Sequence, residues 1–358
     1  MVDFINIKCY NIFVKGGGII KLSRISAALG IVLIAASICG CSEQPEKYTR
    51  DIYSMDTFMS LTAYGNNAQT ALDEAADRIN VLEQSLSVTI PESDISRLNS
   101  SSGTPVSVGE DAVSVISKSL EISERTGGAL DITIYPVLKA WGFTTGEHNR
   151  PTAEALASLL EFVDYTKIRI DGGEVTLPEG YSVDLGALAK GYASDCAADI
   201  LQSSGVQSAI LSLGGNVCAI GSKPDGDPWK IAVASPFEGE GYLGILAIED
   251  KFVITSGKYE RYFIGEDGRK YHHIIDPKTG YPSENGLAAV TVIGGSGIEC
   301  DALSTAILVM GEERAREYWR DNSGCELILV TDDKRVIVTA GISEKFSCSA
   351  GYTVEILK

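Results

Sequence analysis

Histidine is almost missing from this chain. There are three in 358 residues, His148, His272 and His273, which leaves no material for a His-rich metal centre. Basic charge is also short, with 30 Lys+Arg against 48 Asp+Glu and a net charge of −18. That excludes the basic stripe by which nucleic-acid binders make their footprint. No run of 18 apolar residues interrupts the body, so the chain is not polytopic. A GxxxxGK[ST] loop is absent, so no P-loop is expected. Beyond the first 41 residues five cysteines remain, Cys196, Cys218, Cys300, Cys325 and Cys348, with no CxxC among them. An odd number without metal spacing indicates neither a disulfide framework nor a zinc knuckle. Buried free thiols are expected, with one disulfide left open outside the cytoplasm. Apolar residues are plentiful at 44% against 22% charged, so a real core forms and the chain is not disordered. The length admits one large or two modest domains. In so acidic a chain, any anionic ligand needs a local device: a metal ion, a helix N-terminus or a lysine.

The N-terminus reads as an address. Residues 1–40 carry Lys8, Lys15, Lys21 and Arg24 against Asp3, then an apolar stretch over 25–38 that ends in Cys39-Gly-Cys41. A basic region, a short apolar region and small residues before a cut site make a secretory signal. The Ile-Cys-Gly-Cys ending resembles a bacterial lipobox, with Cys41 as the lipidated first residue of the mature protein. A single-pass anchor is the alternative; the apolar run is short for a span, and polar Ser42-Glu-Gln-Pro-Glu46 follows at once. The basic region is long enough that translation could start near residue 20. Residues 41–54 read as a lipidated terminus and polar tether. Removing residues 1–40 deletes four bases and one acid and leaves the mature chain at −21. It would hang from the outer face of a bacterial membrane by lipid rather than by charge.

In the body, helical spacing is expected over 68–85 with Asn67 as cap, over 111–125 with a stop at Gly127-Gly128, and over 151–163 and 187–202. Residues 300–310 and 312–320 read as two more helices. A hairpin is expected over 167–177, turning at Asp171-Gly-Gly173. Strands are expected at 208–213, 229–234, 243–249, 252–255, 262–275 (folded at Glu266-Asp-Gly268), 287–293, 326–331 and 335–339. Helices and strands mix without a regular βαβ period, and no repeat is present. The class is α+β, one compact domain of about 300 residues.

Four constellations carry chemistry. In Tyr181–Asp195 an apolar strand ends at Asp184, Gly186 permits close approach, and a helix begins with Lys190 one turn in. Free N–H groups, a partial positive charge and one full cation suit a phosphate; a plain strand–helix junction with an exposed Lys is the bland alternative. Asp301 and Thr305 stand four apart, hence on one helix face, and offer the hard oxygens that Mg²⁺ takes beside substrate phosphate; an N-terminal acid and ordinary packing would look the same. The third joins Ser256-Gly-Lys-Tyr-Glu-Arg261 to Tyr271-His-His-Ile-Ile-Asp-Pro-Lys-Thr-Gly-Tyr-Pro282. In a strand His272 and His273 point to opposite faces, so at most one faces a given pocket, where it can relay a proton. Edge polarity is the alternative. The fourth is Gly128-Ala-Leu-Asp131 with Trp141-Gly-Phe143, a carboxylate among apolar and aromatic residues.

Together these segments resemble the ApbE family, flavin transferases that move FMN from FAD onto a Thr or Ser of a target protein. The resemblance spans about residues 48–345 and rests on nine blocks in order. These are Met55-Asp-Thr, Ser93-Asp-Ile-Ser-Arg-Leu-Asn99, Gly128-Ala-Leu-Asp131, Trp141-Gly-Phe143 and Val183-Asp-Leu-Gly-Ala-Leu-Ala-Lys-Gly191, then Leu213-Gly-Gly-Asn216, Thr255-Ser-Gly-Lys-Tyr259, His273-Ile-Ile-Asp-Pro-Lys-Thr-Gly280 and Asp301-Ala-Leu-Ser-Thr305. It implies a single domain of mixed, largely antiparallel sheet with helices over 55–345, followed by a tail over 346–358. It implies Mg²⁺ held by Asp301, Thr305, the backbone oxygen of Ala187 and Ser304. FAD would meet Met55, Ala129, Leu130, Asp131, Asp184, Lys190 and Ile275. His273 would activate the target hydroxyl, with Asp276 in support. Two departures mark this chain: Thr89-Ile90 stand where members often carry an aromatic or Asn, and Asp56 stands where the first block usually has Gly.

The implied reaction is attack on the FMN-side phosphorus of FAD with AMP leaving. Phosphoryl transfer of this kind depends mainly on positioning and charge neutralisation. The implied acceptor is a membrane redox subunit of the Nqr or Rnf type. Two competitors share the site: a Mg²⁺-dependent FAD pyrophosphatase with water as nucleophile, and a non-catalytic flavin-binding lipoprotein.

Overall fold

The computed structural model describes residues 45–322 and 324–358, so the signal segment and Cys41 lie outside the described residues. The folded unit runs Pro45–Lys358. In chain order it contains β1 (Lys47–Ser54), β2 (Thr57–Tyr64), α1 (Ala68–Leu86), α2 (Asp94–Asn99), β3 (Val106–Ser107), α3 (Glu110–Arg125), α4 (Tyr135–Trp141) and α5 (Ala153–Leu160). There follow β4 (Arg169–Asp171), β5 (Glu174–Thr176), α6 (Ala189–Ser203), β6 (Ala209–Leu213), β7 (Asn216–Ile220), β8 (Trp229–Ala234), β9 (Tyr242–Ile248) and β10 (Lys251–Gly257). The chain closes with β11 (Tyr262–Ile264), β12 (Lys270–His272), β13 (Leu287–Gly294), α7 (Gly297–Asp321), β14 (Cys325–Thr331), β15 (Arg335–Thr339), β16 (Phe346–Cys348) and β17 (Thr353–Leu357).

A nine-stranded sheet in the order β1-β2-β6-β7-β10-β13-β14-β15-β17 forms the spine. Every neighbouring pair is antiparallel except β15–β17. This is the α+β architecture that the sequence predicts. One face carries α1, α3, α6 and α7 over a core that includes Leu72, Ile79, Ile116, Leu201, Leu303 and Ile307. The other face carries β8, β9 and β16, packed through Trp229, Leu246 and Phe346. A sheet covered on both sides is apolar on both sides, and β13 is buried at every position. Within it Val290 and Val292 face the helices while Ala289 and Ile293 face the small sheet. Leu287 breaks that alternation and also faces the helices, because the register shifts between Leu287 and Ala289. The extra residue of a bulge flips which face the next side chain takes. A third cluster, Val137, Trp141, Leu156, Tyr271 and Ile275, joins α4 and α5 to β12.

Three expectations change. Residues 47–54, read as tether, are strand β1, paired with β2 along its whole length. Its one-sided burial on an edge leaves mostly polar residues, and so the sequence looks like linker. The expected tail over 346–358 holds β16, paired with β9, and β17, paired with β15. In β17 only Leu357 is buried, so backbone pairing rather than hydrophobic pattern defines it. Asn67 stands at the N-cap position of α1, but its side chain makes no capping bond; its Nδ2 donates instead to the Ser204 carbonyl at 2.8 Å. The two helices expected over 300–310 and 312–320 are both present within α7 and meet at Gly311 (φ 78°, ψ 175°), where the chain leaves helical geometry.

Candidate active site

The site is built where α6 and α7 meet the ends of β7 and β10. The loop entering α6 is held from two sides. Asn99 donates from Nδ2 to the Val183 carbonyl at 2.8 Å and accepts the Val183 N–H at 2.7 Å, and the Asp184 N–H donates to Ile132 at 2.8 Å. Asp184 accepts the Gly186 N–H at 2.9 Å. This delivers Ala187 to the turn that precedes α6 and Lys190 to its first turn, as the strand–helix reading expects. Lys190 makes no ion pair within 4.0 Å among the described residues. Its charge favours the ionised forms of Asp184, Asp301 and Glu260 against the desolvation that raises each of them.

Helices α6 and α7 approach closely because glycine stands on both. A Cβ at Gly191 would lie 2.3 Å from the Gly297 carbonyl oxygen and 2.6 Å from Asp301 Cβ. The reward is polar as well as steric: the Gly191 N–H donates to Asp301 Oδ2 at 2.8 Å. Gly191→Ala should therefore lower stability by about 1–3 kcal/mol through overpacking, read from urea denaturation. A stability equal to the parent's would contradict the close contact.

Asp301 is only 4% exposed. On the next turn the Ser304 hydroxyl donates to the Asp301 carbonyl at 2.8 Å and meets Ser256 Oγ at 2.8 Å, while Ser256 also reaches Thr305 Oγ1 at 3.2 Å. The Asn216 amide stands near enough to help keep Asp301 charged, and its buried Nδ2 has no hydrogen-bond partner among the described residues. Asp301, Ser304 and Thr305 thus come together, with Ser256 and Asn216 beside them. No group of three or more His, Cys, Asp or Glu suited to a metal exists among the described residues. One carboxylate and neighbouring hydroxyls are still an all-oxygen donor set. It fits an ion such as Mg²⁺, which fills its shell with water and substrate phosphate.

The two histidines separate as strand alternation requires. His272 is buried; its Nε2 donates to the Ser283 carbonyl at 3.1 Å and its Nδ1 accepts the Ile274 N–H at 3.3 Å. Both nitrogens are used inside the fold, and burial pushes its pKa down to about 4. His273 is half-buried, and its N–H and Nδ1 both approach the Arg261 carbonyl, at 3.0 and 3.1 Å. A carbonyl only accepts, so Nδ1 carries the proton and Nε2 presents its lone pair. Desolvation, then the charge of Arg261, holds the imidazole neutral, with a pKa of about 3. With no partner for Nε2 among the described residues, this neutral imidazole can accept a hydrogen bond there from a hydroxyl and relay its proton. Phe143, from the Trp141-Gly-Phe143 block, stands edge-on 6.4 Å from the His273 ring, and Trp141 Nε1 donates to the Gly280 carbonyl at 2.8 Å.

Other expected site residues take supporting places. The Asp276 carboxylate accepts the Lys278 N–H at 2.9 Å within its own turn; what holds His273 is the Arg261 carbonyl. Asp131 accepts from the N–H and hydroxyl of Thr133 (2.9 and 2.6 Å) and from the Tyr165 N–H (3.0 Å), so its carboxylate is committed to the loop. The side chains of Ala129, Leu130 and Ile275 are buried in the two neighbouring cores. Met55 sits in the two-residue turn between β1 and β2 at φ 51°, its N–H donating to Glu83 Oε1 at 2.7 Å. Arg261 and Glu260 lie inside a segment the sequence singles out. Arg261 takes part through its backbone carbonyl, a contact with His273 that spacing in the sequence does not reveal.

A model of the ApbE family matches residues 55–329. Among curated relatives, the Vibrio cholerae FAD:protein FMN transferase is 33% identical over 86% of this chain and 93% of its own length. The Haemophilus influenzae FAD:protein FMN transferase is 29% identical over 91% of this chain and 99% of its own length. The solved apo structure of the Pseudomonas stutzeri flavinyl transferase ApbE superposes with a TM-score of 0.77 at 29% identity, covering 86% of this chain and 99% of that one. Nine sequence blocks, the sheet they assemble into and these likenesses agree, and this chain belongs to the ApbE family.

Proposed function

We propose that the protein transfers FMN from FAD to a Thr or Ser hydroxyl of a target protein and releases AMP. The observation that carries this reading is the pairing of a neutral His273 with a free Nε2 and an oxygen-lined site at Asp301 and Thr305. The acceptor hydroxyl would give its proton to Nε2 as its oxygen bonds to the FMN-side phosphorus. The bond from that phosphorus to the bridging oxygen breaks, and AMP leaves with the electron pair. Lys190 would bind the pyrophosphate as a point charge at the start of α6. Mg²⁺, held by Asp301, Thr305, the Ala187 carbonyl and Ser304, would supply further charge neutralisation at the pyrophosphate. The acceptor is a redox subunit of the Nqr or Rnf type. The enzyme works on the outer face of a bacterial membrane, anchored through lipid on Cys41.

Hydrolysis to FMN and AMP is the second reading, because water can reach the same half-exposed base. Titrating acceptor protein against AMP release separates them. AMP formed only with acceptor and Mg²⁺, and lost on adding a chelator, is the expected result. AMP formed at the same rate without acceptor would make the protein a pyrophosphatase.

A further inference from the structure

The turn between β1 and β2 holds Met55 and Asp56 at φ 51° and 57°, a left-handed pair that favours glycine. Asp56 adopts it at little cost, since Asp is among the few side chains that visit this region. There its two oxygens are both used. Oδ1 accepts the Tyr53 hydroxyl at 3.0 Å, and Oδ2 is ion-paired with the guanidinium of Arg261. Arg261 is the residue whose backbone carbonyl receives both the N–H and the ring Nδ1–H of His273. A glycine at position 56 would make the same turn and leave Arg261 without this tether.

We infer that Asp56 is a positioning residue: by anchoring Arg261 it fixes the carbonyl that locks His273 in its Nδ1–H tautomer. The ion pair is solvent-exposed on both sides, 56% for Arg261 and 71% for Asp56. Exposed pairs contribute little to stability, so its effect falls on geometry rather than on folding. The link from Asp56 to Nε2 runs through one salt bridge, one residue of backbone and one hydrogen bond. Its consequence for transfer rests on the reading of His273 as the base.

The scarcity of histidine makes the test direct, because three imidazoles give a simple ¹⁵N spectrum. In the parent protein His273 should show a protonated Nδ1 and an unprotonated Nε2. Asp56→Asn keeps a residue tolerant of positive φ and removes only the charge; Arg261→Met removes the other partner. Each should mix the His273 tautomers and lower kcat for transfer roughly tenfold, with FAD affinity within about twofold. The double variant should be no worse than either single, as expected for two residues acting through one contact. Asp56→Glu should recover part of the loss. A parent-like His273 tautomer in both single variants overturns the inference. So does a loss confined to one of them, or additive losses in the double. A shifted tautomer with unchanged transfer upholds the positioning role and removes His273 as the base.

Discussion

Replacing Asp301 with alanine should abolish FMN transfer, a loss of about 10³-fold or more in kcat/KM. The argument starts from burial. Asp301 is almost fully enclosed, with one backbone donor, the Gly191 N–H, and the charge of Lys190 to oppose its desolvation. Desolvation prevails and its pKa is raised. A carboxylate whose folded pKa is raised stabilises the fold only while protonated. That contribution is complete below the unfolded pKa and is lost as pH rises through the folded one. Ionising Asp301 in the metal-free protein is therefore unfavourable, and a bound cation relieves that cost. Asp301→Asn should consequently melt higher than the parent without metal, and adding Mg²⁺ should raise the parent's Tm but not the variant's. Calorimetry with and without Mg²⁺ reads both. Normal turnover in Asp301→Ala, or a Mg²⁺-dependent Tm in Asp301→Asn, would remove the metal assignment.

The second large effect belongs to His273. His273→Ala should slow transfer by about 10²–10⁴-fold, the usual contribution of a positioned general base. FAD binding, followed by flavin fluorescence, should change little, because the Asp301 and Lys190 side of the site is untouched. An equal loss in binding and turnover would make His273 a binding group. His272→Ala separates the neighbours in the opposite sense. It removes a donor to Ser283 and an acceptor for Ile274 inside the fold, so it should lower stability by about 1–3 kcal/mol while leaving the turnover of the folded protein near normal.

The helices of the body and most central strands are legible in the sequence, because α1, α3, α6 and α7 carry strong apolar spacing and β13 and β14 are long apolar runs. The edges are not. β1 and β17 bury one side or almost nothing, and their identity comes from backbone pairing that no side-chain period records. The site divides similarly. Asp301 and Thr305 share a helix face by spacing alone; strand alternation says only that at most one histidine faces a given pocket, and the resemblance is what points to His273. That Arg261 rather than Asp276 holds His273, and that Asp131 serves its own loop, depends on hydrogen bonds made at tertiary contacts. The eventual partner of Asp56 is 205 residues away in sequence. The opening scarcity of cations also takes a definite form: in an acidic chain, a single lysine on α6 without an ion-pair partner among the described residues supplies the local positive charge.

The most direct test of the account is the mass of the acceptor protein after incubation with the mature domain, FAD and Mg²⁺. A gain of one FMN on a single Thr or Ser, with one AMP released per acceptor modified and neither product formed by Asp301→Ala, is the predicted result. An acceptor of unchanged mass while FAD is consumed, or FAD recovered intact from the protein, would contradict it.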